Sequence, residues 1–154
     1  MKTAKSDHED KADIRELLNR YTFIIDRGKT DQLRSIFADD GRFRIVDLPS
    51  GESNFSIDEF ASFLTDTLNG SEFMQHLMTN TVVSVDGDHA IAESYLSVLY
   101  GLKPGVQTQA FGLFDEPTDL HLGGEYIDKL ARTADGWRIQ ERTARFFYQR
   151  TITR

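Results

Sequence analysis

The side chains best suited to proton transfer near neutral pH are four histidines, His8, His76, His89 and His121. An imidazole titrates close to neutrality, so it can take a proton from a substrate and return it. The chain has no cysteine, which excludes a thiol nucleophile, a thiolate metal site and a disulfide scaffold. The sequence also lacks H-x-H and H-E-x-x-H spacing, a G-x-S-x-G elbow and a Gly-rich phosphate loop. We therefore expect no metal, no cofactor and no serine-based hydrolysis.

Further candidates lie in segments whose pattern predicts strands or their edges. Tyr100 and Tyr126 could each donate a hydrogen bond to a carbonyl or leaving group, or fill the core with the hydroxyl satisfied. Period-2 alternation places Arg145 on the same strand face as Ile139, where it would suit an anionic substrate; an ion pair at a dimer interface is the alternative. His121, beside a loop, could reach a cavity mouth. The ring of Phe55 belongs either to the core or to a pocket wall.

Composition limits the class of protein. The 154 residues and 17.6 kDa correspond to one domain over 1–154, with its core over about 10–148. No stretch approaches the roughly 18 apolar residues of a membrane span. The net charge of −7 argues against nucleic acid or an anionic membrane as the main partner. The N-terminus has no apolar region typical of a secretory signal, so we expect a cytoplasmic protein.

Capping and stop signals predict three helices. Ser6 and Glu9 form a capping box before an apolar stripe that runs from Ile14 to Ile25, and Gly28 supplies the stop. A short second helix is expected from Thr30 or Asp31, ended by the turn residues 39–41. A second capping box at 56–59 opens a helix that Asn69-Gly70 closes.

The rest of the sequence predicts strands joined by tight turns. A first strand is expected over 42–48, before a loop at 49–51. Later strands are expected over 75–85, 89–101, 125–133 and 137–148, with a short strand at 110–114 between two loops, the second of them mobile. Segregated helices and strands indicate an α+β fold. A strongly curved antiparallel sheet with the helices on its concave side would leave a cone with a pocket at its open end.

Six short motifs occur along the chain, each once. They are Ile14-x-x-Leu17-Leu18-x-x-Tyr21-x-x-x-x-Asp26, Asp31-x-Leu33-x-x-Ile36-Phe37-Ala38-Asp39-Asp40-Gly41, Gln75-His76-Leu77-x-Thr79-Asn80, Val85-Asp86-Gly87-Asp88-x-Ala90, Gly123-Gly124-Glu125-Tyr126-x-Asp128 and Arg132-Thr133-Ala134-Asp135-Gly136-Trp137-Arg138-Ile139. Taken together, they resemble the SnoaL-like branch of the nuclear transport factor 2-like superfamily. The resemblance implies a cone-shaped, cystatin-like α+β barrel, and commonly a dimer built on the outer face of the sheet.

The resemblance also implies a catalytic pair. Scytalone dehydratase and hexachlorocyclohexane dehydrochlorinase, two enzymes of the superfamily, carry an Asp at the end of the first helix and a His at the start of the strand after the last helix. The matching residues here are Asp26 and His76. In that arrangement the imidazole removes a proton, and the carboxylate orients it and stabilises its cation. On a helical wheel Asp26 lies about 140° from the centre of the apolar stripe. The alternative is therefore that Asp26 is a solvated residue at the helix end with no catalytic role.

Two functions remain in competition on this reading. The first is a cofactor-independent lyase or isomerase that uses Asp26 and His76 on a small, hydrophobic, cyclic molecule. Tyr126 or Tyr100 would assist the group that gains negative charge, and Arg132, similar to an arginine of the dehydrochlorinase, would help bind the substrate with Arg145, His121 and Phe55. The second is a non-catalytic ligand-binding or assembly module, which includes the small β subunit of a ring-hydroxylating oxygenase.

Overall fold

Two α-helices and a short 3-10 helix pack against one six-stranded sheet in the computed structural model, which describes residues 6–46 and 51–154. The elements in chain order are α1 (Asp7–Asp26), the 3-10 helix (Thr30–Ser35), β1 (Phe37–Val46), β2 (Ser53–Ser56), α2 (Ile57–Asn69), β3 (Ser71–Asp86), β4 (His89–Leu102), β5 (Thr118–Thr133) and β6 (Gly136–Thr153). The predicted α+β class, with helices on a curved sheet, is confirmed. No helix within the described ranges combines the length and apolar character that crossing a bilayer requires.

The strand order is β2-β1-β6-β5-β4-β3. Consecutive strands from β3 to β6 pair antiparallel; tight turns join β3 to β4 and β5 to β6, while residues 103–117 join β4 to β5. The prediction of a wholly antiparallel sheet is wrong at one place, because β1 pairs parallel with β6. These two strands are the most distant in sequence that pair, so no hairpin fixes their relative direction.

Both predicted capping boxes are present and fix where the helices begin. The Ser6 and Ser56 hydroxyls accept from the backbone N–H groups of Glu9 and Glu59, whose carboxylates accept in return from the serine N–H groups. These bonds lower the pKa of Glu59. The apolar stripe of α1 is buried against the sheet, with Tyr21 at its centre. The sequence signals for these two helices are therefore confirmed, whereas the short second helix is a 3-10 helix that ends at Ser35, before the expected end at 39–41.

Several strand boundaries differ from the prediction. The expected turn at 39–41 lies inside β1, where the pairing with β6 shifts register before Arg42. No strand forms at 110–114, where Thr108 and Gly112 make only an isolated bridge. β5 begins at Thr118, so the expected loop before residue 125 is much shorter, and β6 continues to Thr153. β2 was not predicted, since four residues carry too little pattern. Residues 47–50, where the first strand was expected to end and its loop to begin, lie outside the described residues.

Candidate active site

Asp26 and His76 meet between the end of α1 and β3. The imidazole Nδ1 of His76 lies 2.6 Å from Oδ1 of Asp26. The second carboxylate oxygen, Oδ2, accepts the backbone N–H of His76 at 2.8 Å. The imidazole is 5% exposed and the carboxylate 17% exposed. The reading of Asp26 as a solvated helix-end residue therefore does not describe the structure.

Local structure explains how the end of α1 positions the Asp26 carboxylate beside His76. The helix ends at Asp26, and the chain turns away through Gly28, whose φ of +67° suits glycine. Met74 and His76 alternate inward along β3, so the imidazole faces the helix end. A carboxylate at a helix C-terminus is disfavoured by the helix dipole. The two hydrogen bonds from His76 offset that cost.

The hydrogen-bond pattern assigns the ring nitrogens of His76. An ionised carboxylate can only accept, so Nδ1 carries the hydrogen that points to Asp26. In the neutral imidazole the lone pair then lies on Nε2. Among residues 6–46 and 51–154, no group forms a hydrogen bond with Nε2. The pair can therefore act as a general base through Nε2, held in one tautomer by Asp26.

The protein contains a cavity of about 520 Å³, and its wall includes Tyr100, a neighbour of His76. Its wall is mostly apolar and aromatic, and none of the described residues that form it carries a charge. They are Ile45, Phe63, Leu64, Thr67, Tyr100, Ala110, Phe111, Leu122, Phe146, Phe147, Tyr148 and Gln149. Asp26 and His76 are not among them.

Tyr100 connects the cavity with the imidazole. Its ring lies edge-on to His76, with centroids 6.3 Å apart, and it also forms part of the cavity wall. Burial raises the pKa of the Tyr100 hydroxyl above its ordinary value. The hydroxyl therefore stays protonated at neutral pH and can donate a hydrogen bond to a bound molecule.

Tyr126 lies deeper in the core, away from the cavity wall. Its ring is edge-on to Tyr21, with centroids 6.0 Å apart, and burial raises the pKa of its hydroxyl. It packs against the guanidinium of Arg142, 4.1 Å from the ring centroid. On β5 the cavity residue is Leu122, and Tyr126 lies four residues further along the strand. Tyr100, but not Tyr126, thus both contacts the imidazole and forms part of the cavity wall.

Arg132, which was expected to bind substrate, is not part of the cavity wall and instead links three parts of the fold. Its guanidinium donates two hydrogen bonds to Asp10, both of 2.7 Å, and one of 2.9 Å to Asp88. It also stacks over Trp137 at 4.5 Å, and the indole N–H donates to Asp10 at 3.1 Å. These contacts fasten the start of α1 to the β3–β4 turn and to β6. This guanidinium is occupied by two carboxylates, so a role of Arg132 in substrate binding stays a prediction.

The other three predicted binding residues also lie outside the cavity wall. Arg145 points outward and pairs with Glu125 at 3.0 Å. His121 bonds to the Ser97 hydroxyl at 2.8 Å, on the strand face opposite Leu122. Phe55 packs on the ring of Phe63, with centroids 5.1 Å apart, and so supports the wall from behind.

The sequence analysis missed Arg142, the buried cation of the interior. Its side chain is 0% exposed and donates to the Asp128 carboxylate at 2.6 and 2.7 Å, between the rings of Tyr21 and Tyr126. Gln140 is an extra residue in the β5–β6 pairing, and this bulge reverses which residues point inward. Arg142 therefore takes the interior position that simple alternation gave to Arg145. One signal in the sequence could have revealed a buried cation. If Tyr126 faces inward, strand alternation also turns Asp128 inward, and a buried carboxylate needs a positively charged or hydrogen-bonding partner.

Comparisons with known proteins agree with this fold. A family model described as a SnoaL-like domain matches residues 6–143. An uncharacterized protein of Mycobacterium tuberculosis is 27% identical over 143 residues, which cover 93% of this chain and 89% of that protein. A protein from Kribbella flavida is similar in structure, with a TM-score of 0.79, 22% identity and coverage of 94% and 95%. Hexachlorocyclohexane dehydrochlorinase LinA-type3 from Novosphingobium barchaimii has a TM-score of 0.73 at 16% identity, with coverage of 92% and 89%.

Proposed function

We propose, from the premise that the chain belongs to the SnoaL-like domain family, that it is a cofactor-independent lyase or isomerase acting on a small, neutral, hydrophobic molecule. The observation that carries the proposal is the 2.6 Å contact between Nδ1 of His76 and Asp26, which leaves Nε2 without a partner among the described residues. A ligand-binding or assembly module would need no imidazole held in one tautomer by a carboxylate.

The reaction begins when Nε2 of His76 takes a proton from a carbon of the substrate. The imidazolium that forms keeps its Nδ1–H on Asp26, whose negative charge stabilises it. The electron pair released from carbon forms a double bond and either expels a leaving group or moves to a conjugated oxygen. Tyr100 donates a hydrogen bond to the atom that gains charge. His76 then gives its proton to the leaving group, in a lyase, or to another carbon, in an isomerase.

The cavity defines the class of substrate. Its volume of about 520 Å³ lies within the range of small-molecule sites. An uncharged wall would leave a substrate carboxylate or ammonium group desolvated and unpaired, which is costly. The aromatic side chains favour a flat or cyclic molecule, while Thr67, Tyr100 and Gln149 supply polar contacts for a carbonyl or hydroxyl group. The apolar surroundings also strengthen the electrostatic terms of the reaction.

A ligand screen tests this function. We expect neutral cyclic ketones and alcohols to raise the melting temperature, since a ligand at about 100 times its Kd adds about 2.7 kcal/mol. Carboxylate analogues of the same size should give no shift. Incubation of each hit in D2O, followed by mass spectrometry, should then reveal deuterium uptake or loss of a leaving group. Binding without any conversion, across all hits, would favour the module instead.

We also propose that a second copy of the chain covers the outer face of the sheet. Large apolar side chains are exposed there on neighbouring strands, including Phe73 and Leu77 on β3 and Tyr95 and Leu99 on β4. An exposed apolar patch of this kind is typical of an interface between proteins. A C2 pair would bury this face of both copies at once.

A charge placed on this face tests the pairing. Leu77→Glu should convert a dimer to a monomer in size-exclusion chromatography with light scattering, because it would bury two carboxylates in an apolar interface. Leu113→Glu is the matched control: both leucines are 54% exposed, but Leu113 lies in the segment between β4 and β5, away from this face. Dissociation by both variants, or by neither, would contradict this interface.

A further inference from the structure

The catalytic pair and the cavity are connected through the ring of Tyr100, and the ring of Phe111 packs on Tyr100. Tyr100 and Phe111 both form part of the cavity wall, whereas His76 does not. The centroid of the Tyr100 ring lies 6.3 Å from that of His76 and 4.7 Å from that of Phe111, and both contacts are edge-on. A molecule in the cavity therefore meets these two rings before it meets the imidazole.

Phe111 is carried by residues 103–117, which connect β4 to β5 and which we call the flap. The backbone of the flap is not paired into the sheet; Phe111 and Phe114 pack on the core, the Arg154 N–H bonds to the Pro117 carbonyl at its end, and polar contacts attach it to the end of α2. Asp66 accepts the backbone N–H of Gln109 at 2.7 Å, and the carbonyl of Gly70 accepts the N–H of Lys103 at 2.9 Å. The bond to Asp66 is exposed to solvent, so it opens at lower cost than a hydrogen bond in the core of the sheet.

Two glycines give the flap its bends. Gly105 has a φ of +71° and Gly112 a φ of +77°, both in the left-handed region. Between them, the Thr108–Gly112 bridge closes a turn that holds Phe111 against Tyr100. The flap is thus a compact turn with bends before and within it, attached to the end of α2 at its start through Lys103 and at the turn itself through Asp66.

We infer that Phe111 is a gate between the cavity and His76. In the described state its ring, packed on Tyr100, closes the passage. When the Asp66–Gln109 bond opens, the flap carries Phe111 away, Tyr100 is released, and the bound molecule reaches Nε2. The inference rests on the proposed function only for the identity of the base, because the accessibility of His76 can be measured without any turnover.

The test is the rate at which diethyl pyrocarbonate acylates each histidine, followed by peptide mass spectrometry. Nε2 of His76 is the reactive nitrogen, and the exposed His8 and His89 serve as internal references. In the wild-type protein His76 should react at least about tenfold more slowly than the references, as expected for a site reached by local opening. Phe111→Ala should raise the His76 rate about tenfold and leave the references unchanged.

Two further variants sharpen the result. Phe63→Ala also removes a ring from the cavity wall, but this ring packs on Phe55 rather than on Tyr100, so the His76 rate should not change. Asp66→Ala keeps the Phe111 ring and the core intact but releases the flap, and it should also raise the rate at which His76 is acylated.

The inference is wrong if wild-type His76 reacts as fast as His8, if Phe111→Ala has no effect on the His76 rate, or if Phe63→Ala raises that rate as much as Phe111→Ala does. An unchanged rate in Asp66→Ala would exclude the flap as the moving part. If the proposed function is wrong but the gate exists, all these acylation rates should still be as expected. Failure of the proposed function and failure of the gate can therefore be told apart.

Discussion

Replacement of His76 by glutamine is expected to lower kcat about 10²–10⁴-fold, the range attributed to a general base. Glutamine can still donate a hydrogen bond to Asp26, but it has no lone pair able to take a proton near neutral pH. Ligand binding should be nearly unchanged, because His76 is not part of the cavity wall. The measurements are turnover of a hit from the ligand screen and the thermal shift that the same hit produces in the variant.

Asp26→Asn and His8→Gln complete this experiment. Asparagine preserves the shape at position 26 but removes the charge that stabilises the imidazolium, so kcat should also fall by about 10²-fold or more. His8→Gln should leave turnover as in the wild type, because this exposed histidine lies in the first turn of α1 and is not part of the cavity wall. Full turnover in His76→Gln would disprove the assignment of the base. Equal losses in all three variants would indicate a general structural defect.

The second large effect is on stability. Asp128→Asn should destabilise the protein by about 3–5 kcal/mol, because it leaves the Arg142 guanidinium as a buried cation without its anion. Both side chains are 0% exposed, so water cannot replace the lost charge. A loss of this size is a large part of the 5–15 kcal/mol typical of a native domain. Urea unfolding, followed by circular dichroism, measures it.

The same two strands provide the control for this prediction. Lys129 and Glu141 form an ion pair of 2.9 Å one register position away, and the lysine side chain is 61% exposed. Glu141→Gln should therefore change the free energy of unfolding by no more than about 1 kcal/mol. The double variant Asp128→Leu and Arg142→Met removes both buried charges and should recover much of the loss. A double variant less stable than Asp128→Asn would mean that the stacking of Arg142 on Tyr21 and Tyr126 is worth more than the charge compensation.

The sequence allowed prediction of those features that depend on short-range signals. The capping boxes at Ser6 and Ser56 and the apolar stripe of α1 could be recognised because each depends on residues within one or two helical turns. The meeting of Asp26 and His76, 50 residues apart, could be expected only through a family resemblance. Nothing in their local sequence brings them together.

The features that could not be predicted depend on pairing between distant segments. The bulge at Gln140 decides whether Arg142 or Arg145 faces inward, and alternation within β6 alone cannot reveal it. Arg132 was expected to bind substrate, but its two carboxylate partners come from the start of α1 and from the β3–β4 turn. The parallel pairing of β1 with β6 likewise follows from the assembled sheet.

The absence of α1 and β3 from the described cavity wall has a consequence for how such a protein can change. The carboxylate and the imidazole come from these two elements, while the wall is formed by β1, α2, the flap, β4, β5 and β6. Mutations that reshape the wall, on α2 or the flap for example, need not disturb Asp26 and His76. Under the proposed function, new substrates could then be acquired by redesign or natural drift while these two residues stay as they are.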